Sequence, residues 1–94
     1  MNLSLEEKNA IICGSTQGIG LAIAEELALL GANCTLIARN EEALQTAVQK
    51  LDTQLRQQHN YLVADFSKPD ELKTVIEKHV EKNVVHILIN NSGV

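Results

Sequence analysis

Gly14, Gly18 and Gly20 fall within seven residues, with the hydroxyls of Ser15 and Thr16 between the first two. They follow the aliphatic run Ala10–Cys13 and open a helical pattern. Residues of these types suit an anion held against bare main chain. A helix start offers unpaired N–H groups and partial positive charge. A phosphate reaches them only where no Cβ intervenes. Gly14 would allow the sharp turn out of the strand, Gly18 the contact of backbone with phosphate, and Gly20 tight packing of helix on strand. The spacing is Gly-x-x-x-Gly-x-Gly. It is neither G-x-G-x-x-G nor a P-loop, since no Gly-Lys-Ser/Thr follows.

Each later apolar run also ends in a polar or charged residue. Arg39 follows Cys34–Ala38, Asp65 follows Tyr61–Ala64, and Asn90 and Asn91 follow Val85–Ile89. In dinucleotide sites an acid at the end of the second strand holds a ribose 2′-hydroxyl, and an Arg accommodates a 2′-phosphate. "LIARN" has no carboxylate there. Arg39 with Ser15 can make charge-assisted bonds to a 2′-phosphate, which favours NADP(H) over NAD(H). The alternative is an Arg39 that is solvated or pairs with Glu41 or Glu42. Asp65 has an alternative as well, as a turn residue ahead of the next helix cap.

The elements that position these residues alternate. Strands are expected at Ala10–Cys13, Cys34–Ala38, Tyr61–Ala64 and Val85–Ile89. A first helix is expected over Gly18–Leu30, with Ile19, Ile23, Leu27 and Leu30 inward and Gly31 as its stop. Asn40 caps a second helix, with Glu41 and Glu42 in its first turn and the stripe Leu44, Val48, Leu51, Leu55 carrying it to about Arg56. Ser67 caps a third, with Pro69 and Asp70 in its first turn and Leu72, Val75, Ile76 and Val80 inward. Unbroken aliphatic strands joined by helices imply a parallel sheet covered on both faces.

With the order of these motifs in view, a resemblance can be stated. "CGSTQGIG" resembles the TGxxxGIG motif of the short-chain dehydrogenase/reductase family, "LINNSG" at 88–93 its NNAG motif, and "VAD" at 63–65 its strand-three Asp. Cys13 stands where the family has Thr, and Ser92 where it has Ala. The resemblance implies an α/β, Rossmann-like three-layer sandwich with parallel sheet order 3-2-1-4 and flanking helices, similar to 3-oxoacyl thioester reductases. It also implies a cofactor-binding set of Gly14, Ser15, Thr16, Gly18, Ile19, Gly20, Arg39, Asp65, Phe66, Asn91 and Gly93. By that resemblance Asp65 accepts from the adenine amino group and the Phe66 backbone meets the ring edge. Asn91 lines the adenosine ribose side and Gly93 leaves space for the cofactor. Gln17 fills a slot where some relatives carry a base for the 2′-phosphate. A different Rossmann-like enzyme, such as a methyltransferase, is disfavoured by the paired asparagines.

In this family the proton donor is a Tyr four residues before a Lys, with a Ser orienting the carbonyl. The chain has one tyrosine, Tyr61, with Asp at 65. No catalytic residue is therefore assigned. Residues 1–94 read as one partial dinucleotide-binding domain, apparently truncated before the later strands. Three explanations compete: the chain belongs to a longer reductase, its gene is truncated, or a second polypeptide completes the sheet. The first is preferred. On that reading the parent transfers hydride between NADPH and a small carbonyl or alcohol. On the alternative the chain is a complete, non-catalytic dinucleotide-binding or interaction module.

Bulk composition sets the remaining limits. Ninety-four residues fit one domain, and 45% hydrophobic content with one Phe, one Tyr and no Trp implies an aliphatic core. A net charge of −4, with dispersed acids, argues against nucleic acid and anionic membranes as partners. No apolar run of transmembrane length and no signal-peptide pattern is present, so a cytoplasmic location is expected, with a homo-oligomer left open. Cys13 and Cys34 are expected to be reduced. On neighbouring parallel strands their offset is roughly 10 Å, beyond the ~7 Å that a disulfide allows. His59, His79 and His86 show no metal spacing and read as structural or exposed.

Overall fold

The computed structural model describes residues 4–14 and 16–91. The elements are β1 (Asn9–Cys13), α1 (Gly18–Leu29), β2 (Asn33–Ala38), α2 (Glu41–Gln49), β3 (Asn60–Val63), α3 (Pro69–Lys82) and β4 (Ile87–Asn90). The strands form one sheet of order β3-β2-β1-β4, and all three pairings are parallel. This is the expected Rossmann-like order, with helices on both faces. Registers set Ala10 beside Cys34 and Ile87, and Cys13 beside Ile37 and Asn90.

Alternation along the strands divides the core in two. Ala10, Ile12, Cys34, Leu36 and Ala38 face α1 and α2, where they meet Leu21, Ala24, Ala28, Leu44 and Ala47. Ile11, Cys13, Ile37 and Ala64 face the other way, toward Phe66, Leu72, Val75 and Ile76. The two cysteines therefore lie on opposite faces of the sheet, both buried and free. Burial pushes the Cys13 thiol pKa up and that of Cys34 up to about 11.

All three helices differ from the sequence expectation, and β4 begins two residues later than expected. The inner face of α1 is Gly20, Leu21, Ala24 and Ala28, while Ile19 is 71% exposed. Small residues spaced four apart let the helix lie close to the sheet, so the contact stripe is not the bulkiest one. Next, α2 ends at Gln49 with Lys50 as its C-cap, although Leu51 is still buried. Beyond it, side chains capture the backbone: Asp52 accepts from the Gln54 amide at 2.6 Å and Gln57 from the Leu55 amide at 2.8 Å. Such local bonds compete with helix propagation.

Finally, α3 is N-capped by Lys68 with no side-chain bond. Ser67 is drawn away, because its amide and hydroxyl both donate to Asp65 Oδ1, at 2.9 and 2.7 Å. Leu72, Val75 and Ile76 pack inward as expected. Val80 does not, being 45% exposed, as Val84 and Leu88 also are at 68% and 59%.

Candidate functional site

The carboxyl ends of the four strands bring most of the sequence-selected residues to one end of the sheet. Gly14 leaves β1 with φ +73°, and its amide donates to Ile37 O of β2 at 2.9 Å. The chain then enters α1 through Gln17, an extended N-cap that makes no side-chain capping bond, and the first turn holds no acid. The other helices differ. Asn40 Oδ1 accepts from the Ala43 amide at 3.0 Å, Glu41 and Glu42 follow it, and Asp70 and Glu71 begin α3. Only α1 of the three presents its N–H groups and positive dipole end without a protein counter-group among the described residues.

The geometry explains the glycines there. A Cβ on Gly20 would press into the Gly14 carbonyl oxygen and lie 3.1 Å from Asn91 Nδ2. No side chain fits between α1 and the turn. Gly18 has φ +63°, and a Cβ there would meet nothing within 4 Å. It borders open space, as a cradle for an exogenous anion requires. Thr16 is half-buried and Ile19 exposed beside it.

At the next strand ends, Arg39 is exposed and makes no ion pair within 4.0 Å among the described residues. Glu41 instead accepts from the Tyr61 hydroxyl at 3.2 Å. Asp65 is held below the usual carboxylate range, first by the Ser67 hydroxyl, then by the Ser67 amide, with Arg39 adding a smaller charge effect. The turn role foreseen for Asp65 is thus present, through Oδ1. The Phe66 ring packs into the α3-side core, which leaves its backbone at the strand end. The Asn91 amide donates to Cys13 O at 3.1 Å, tying β4 to β1 beside the turn. Ser15 and Gly93 lie outside the described residues.

A polar belt at the opposite end was not foreseen. His86 Nδ1 accepts from the Asn9 amide at 3.0 Å and His59 Nδ1 from the Cys34 amide at 3.1 Å. Asn33 Nδ2 donates to Asn9 Oδ1 at 3.1 Å, and Asn33 Oδ1 accepts from the Gln58 amide at 2.8 Å. The signal lay in the Asn at the start of β1, β2 and β3. Among the described residues no cluster of His, Cys, Asp and Glu could hold a metal ion, and no helix is long and apolar enough to cross a membrane.

Known proteins resemble this chain in sequence and fold. A family model described as short chain dehydrogenase matches residues 8–94. A human protein called inactive hydroxysteroid dehydrogenase-like protein 1 is 42% identical over 85 residues, which is 90% of this chain and 26% of that protein. The 3-oxoacyl-[acyl-carrier-protein] reductase FabG of Chlamydia trachomatis is 35% identical over 91 residues, 96% of this chain and 37% of the reductase. The structure of L-sorbose reductase from Gluconobacter frateurii, complexed with NADPH and L-sorbose, superposes with TM-score 0.86 at 34% identity. It covers 100% of this chain and 36% of the reductase. The chain thus spans between 26% and 37% of the length of these relatives. With the match over residues 8–94 and the sheet order described, the chain belongs to the short-chain dehydrogenase family.

Proposed function

We propose that this chain is the dinucleotide-binding part of a short-chain oxidoreductase, residues 1–94 of its cofactor domain, with NADP(H) preferred over NAD(H). The uncapped start of α1 beside open space at Gly18 carries the reading. On it, the Gly18 and Ile19 amides, with the Ser15 and Thr16 hydroxyls, hold the pyrophosphate. Gly14 and Gly20 keep turn and helix together behind it. Arg39 takes the 2′-phosphate through charge-assisted bonds. Asp65 accepts from the adenine amino group through its second carboxylate oxygen, since Oδ1 is engaged by Ser67, and the Phe66 backbone borders the ring. Asn91 lines the adenosine ribose side and Gly93 leaves space for the cofactor. Bound NADPH would supply a hydride, and a carbonyl substrate would receive it in the whole protein. Support for this comes from the relatives: one is a reductase complexed with NADPH and another, from Agrobacterium tumefaciens, is a 3-oxoacyl reductase with NADP bound.

A second reading, a dinucleotide-binding protein without turnover, is favoured by one observation. Several relatives at 40–42% identity are called inactive. Titration with NADPH and NADH, followed by NADPH consumption with a ketone panel that includes a 3-oxoacyl thioester, separates the two. NADPH binding about tenfold tighter than NADH, as one lost charge-assisted contact predicts, supports the cofactor assignment. Consumption supports the enzyme, binding without consumption supports the second reading, and failure to bind either dinucleotide overturns both.

A further inference from the structure

The α3 face of the sheet is thinly covered: no residue of α3 is fully buried. Two concavities open beneath its C-terminal half, adjoining at His79 and Asn83. The first, about 250 Å³, is polar and includes Asn9, Asn33, His59 and Asn60. Its groups are largely engaged with one another and with backbone. The second, about 350 Å³, is floored by Leu62, Val63 and Val75 and flanked by Lys78 and Lys82. It shares no residue with the candidate dinucleotide site.

This second groove pairs bare hydrocarbon with unneutralised positive charge. Val63 is 42% exposed. Lys78 and Lys82, one turn apart on α3, face the same side and repel weakly. Neither has an acidic partner within 4.0 Å among the described residues, and the nearby Glu77 is engaged by Lys73. Charge complementarity therefore selects a ligand with one apolar chain and one anionic head. The volume lies at the low end of the roughly 300–1,000 Å³ typical of small-molecule sites, so the chain is short and single.

We propose that this groove binds a medium-chain carboxylate, with its hydrocarbon on Leu62, Val63 and Val75 and its head between the ammonium groups of Lys78 and Lys82. The proposal is independent of the dinucleotide reading. Octanoate is the probe, titrated into the full chain by calorimetry and followed by amide NMR. Saturable binding with shifts at 62, 63 and 75 is expected. Affinity should rise about two- to fourfold per methylene from hexanoate to octanoate, since a fully buried methylene contributes about 0.8 kcal/mol. The doubly reversed variant Lys78→Glu, Lys82→Glu should bind octanoate about tenfold more weakly and NADPH unchanged. Octanol binding as tightly as octanoate, affinity independent of chain length, or shifts confined elsewhere would overturn the proposal. These three readouts use the unaltered protein, so they decide the matter even if the variant fails to fold.

Discussion

Adding one methyl group at Gly20 tests whether α1 is placed by contact with the glycine turn. In an ordinary helix, Gly→Ala stabilises by about 1 kcal/mol. Here the new Cβ would press into the Gly14 carbonyl oxygen and lie 3.1 Å from both the Gly14 carbonyl carbon and Asn91 Nδ2. Two of these three atoms are backbone, which cannot swing aside as a flexible side chain can. Overpacking of this kind costs about 1–3 kcal/mol, so Gly20→Ala should come out between neutral and about 2 kcal/mol less stable. Relief requires α1 to move outward with the amides that would meet phosphate, and NADPH affinity should fall about tenfold, or ~1.4 kcal/mol. Urea unfolding and NADPH titration of the same variant give both numbers. Gly18→Ala is the control for space: its Cβ meets nothing within 4 Å, but φ is +63°, a left-handed conformation costing about 1–2 kcal/mol. A Gly20→Ala protein that gains the full helix-propensity increment and binds NADPH unchanged would refute the reasoning.

Arg39→Ala should weaken NADPH about tenfold and leave NADH unchanged; equal loss for both dinucleotides would remove the 2′-phosphate role. Cys34, raised from 9.0 to about 11 by burial, stays protonated in the fold while the unfolded thiol ionises. Its contribution, about 2–3 kcal/mol, is fully present below pH 9 and lost as pH rises to about 11. Cys34→Ala should flatten that alkaline slope in urea melts. Asp65 has a lowered pKa, so the stability it adds is present above its unfolded value and fades as pH falls through its folded one. Asp65→Asn should diminish the acid-limb slope of thermal melts, and an unchanged slope would show the Ser67 bonds to be immaterial.

The sheet was legible because its strands are continuous aliphatic runs. β1 and β2 are buried on both faces and need no alternation, whereas the outer strands β3 and β4, expected to be buried as well, are only partly covered. The turn at Gly14–Gly20 was legible because glycine best suits the positive φ of Gly14 and Gly18 and leaves room for the close approach at Gly20. What escaped was set by tertiary contact or by short-range competition. Ile19 and Ile23 gave a plausible helical stripe, but Ala24 and Ala28 make the close contact, and periodicity weights bulk above closeness. Leu51 and Leu55 continued the α2 pattern past the point where Asp52 and Gln57 turn the chain. Ser67 had the composition of a cap, yet a carboxylate two residues earlier claimed it. His59 and His86 read as bland because their partners, the amides of Cys34 and Asn9, are 25 and 77 residues away in sequence.

The placement of Cys13 and Cys34 on opposite faces makes the sheet a wall between the chain's two thiols. A folded molecule cannot join them, since the strand backbones would have to part first. An internal crosslink in material purified without reductant would therefore be a fingerprint of molecules that oxidised before β1 and β2 came together. Its abundance on a non-reducing gel would count the fraction that lost the race between oxidation and folding.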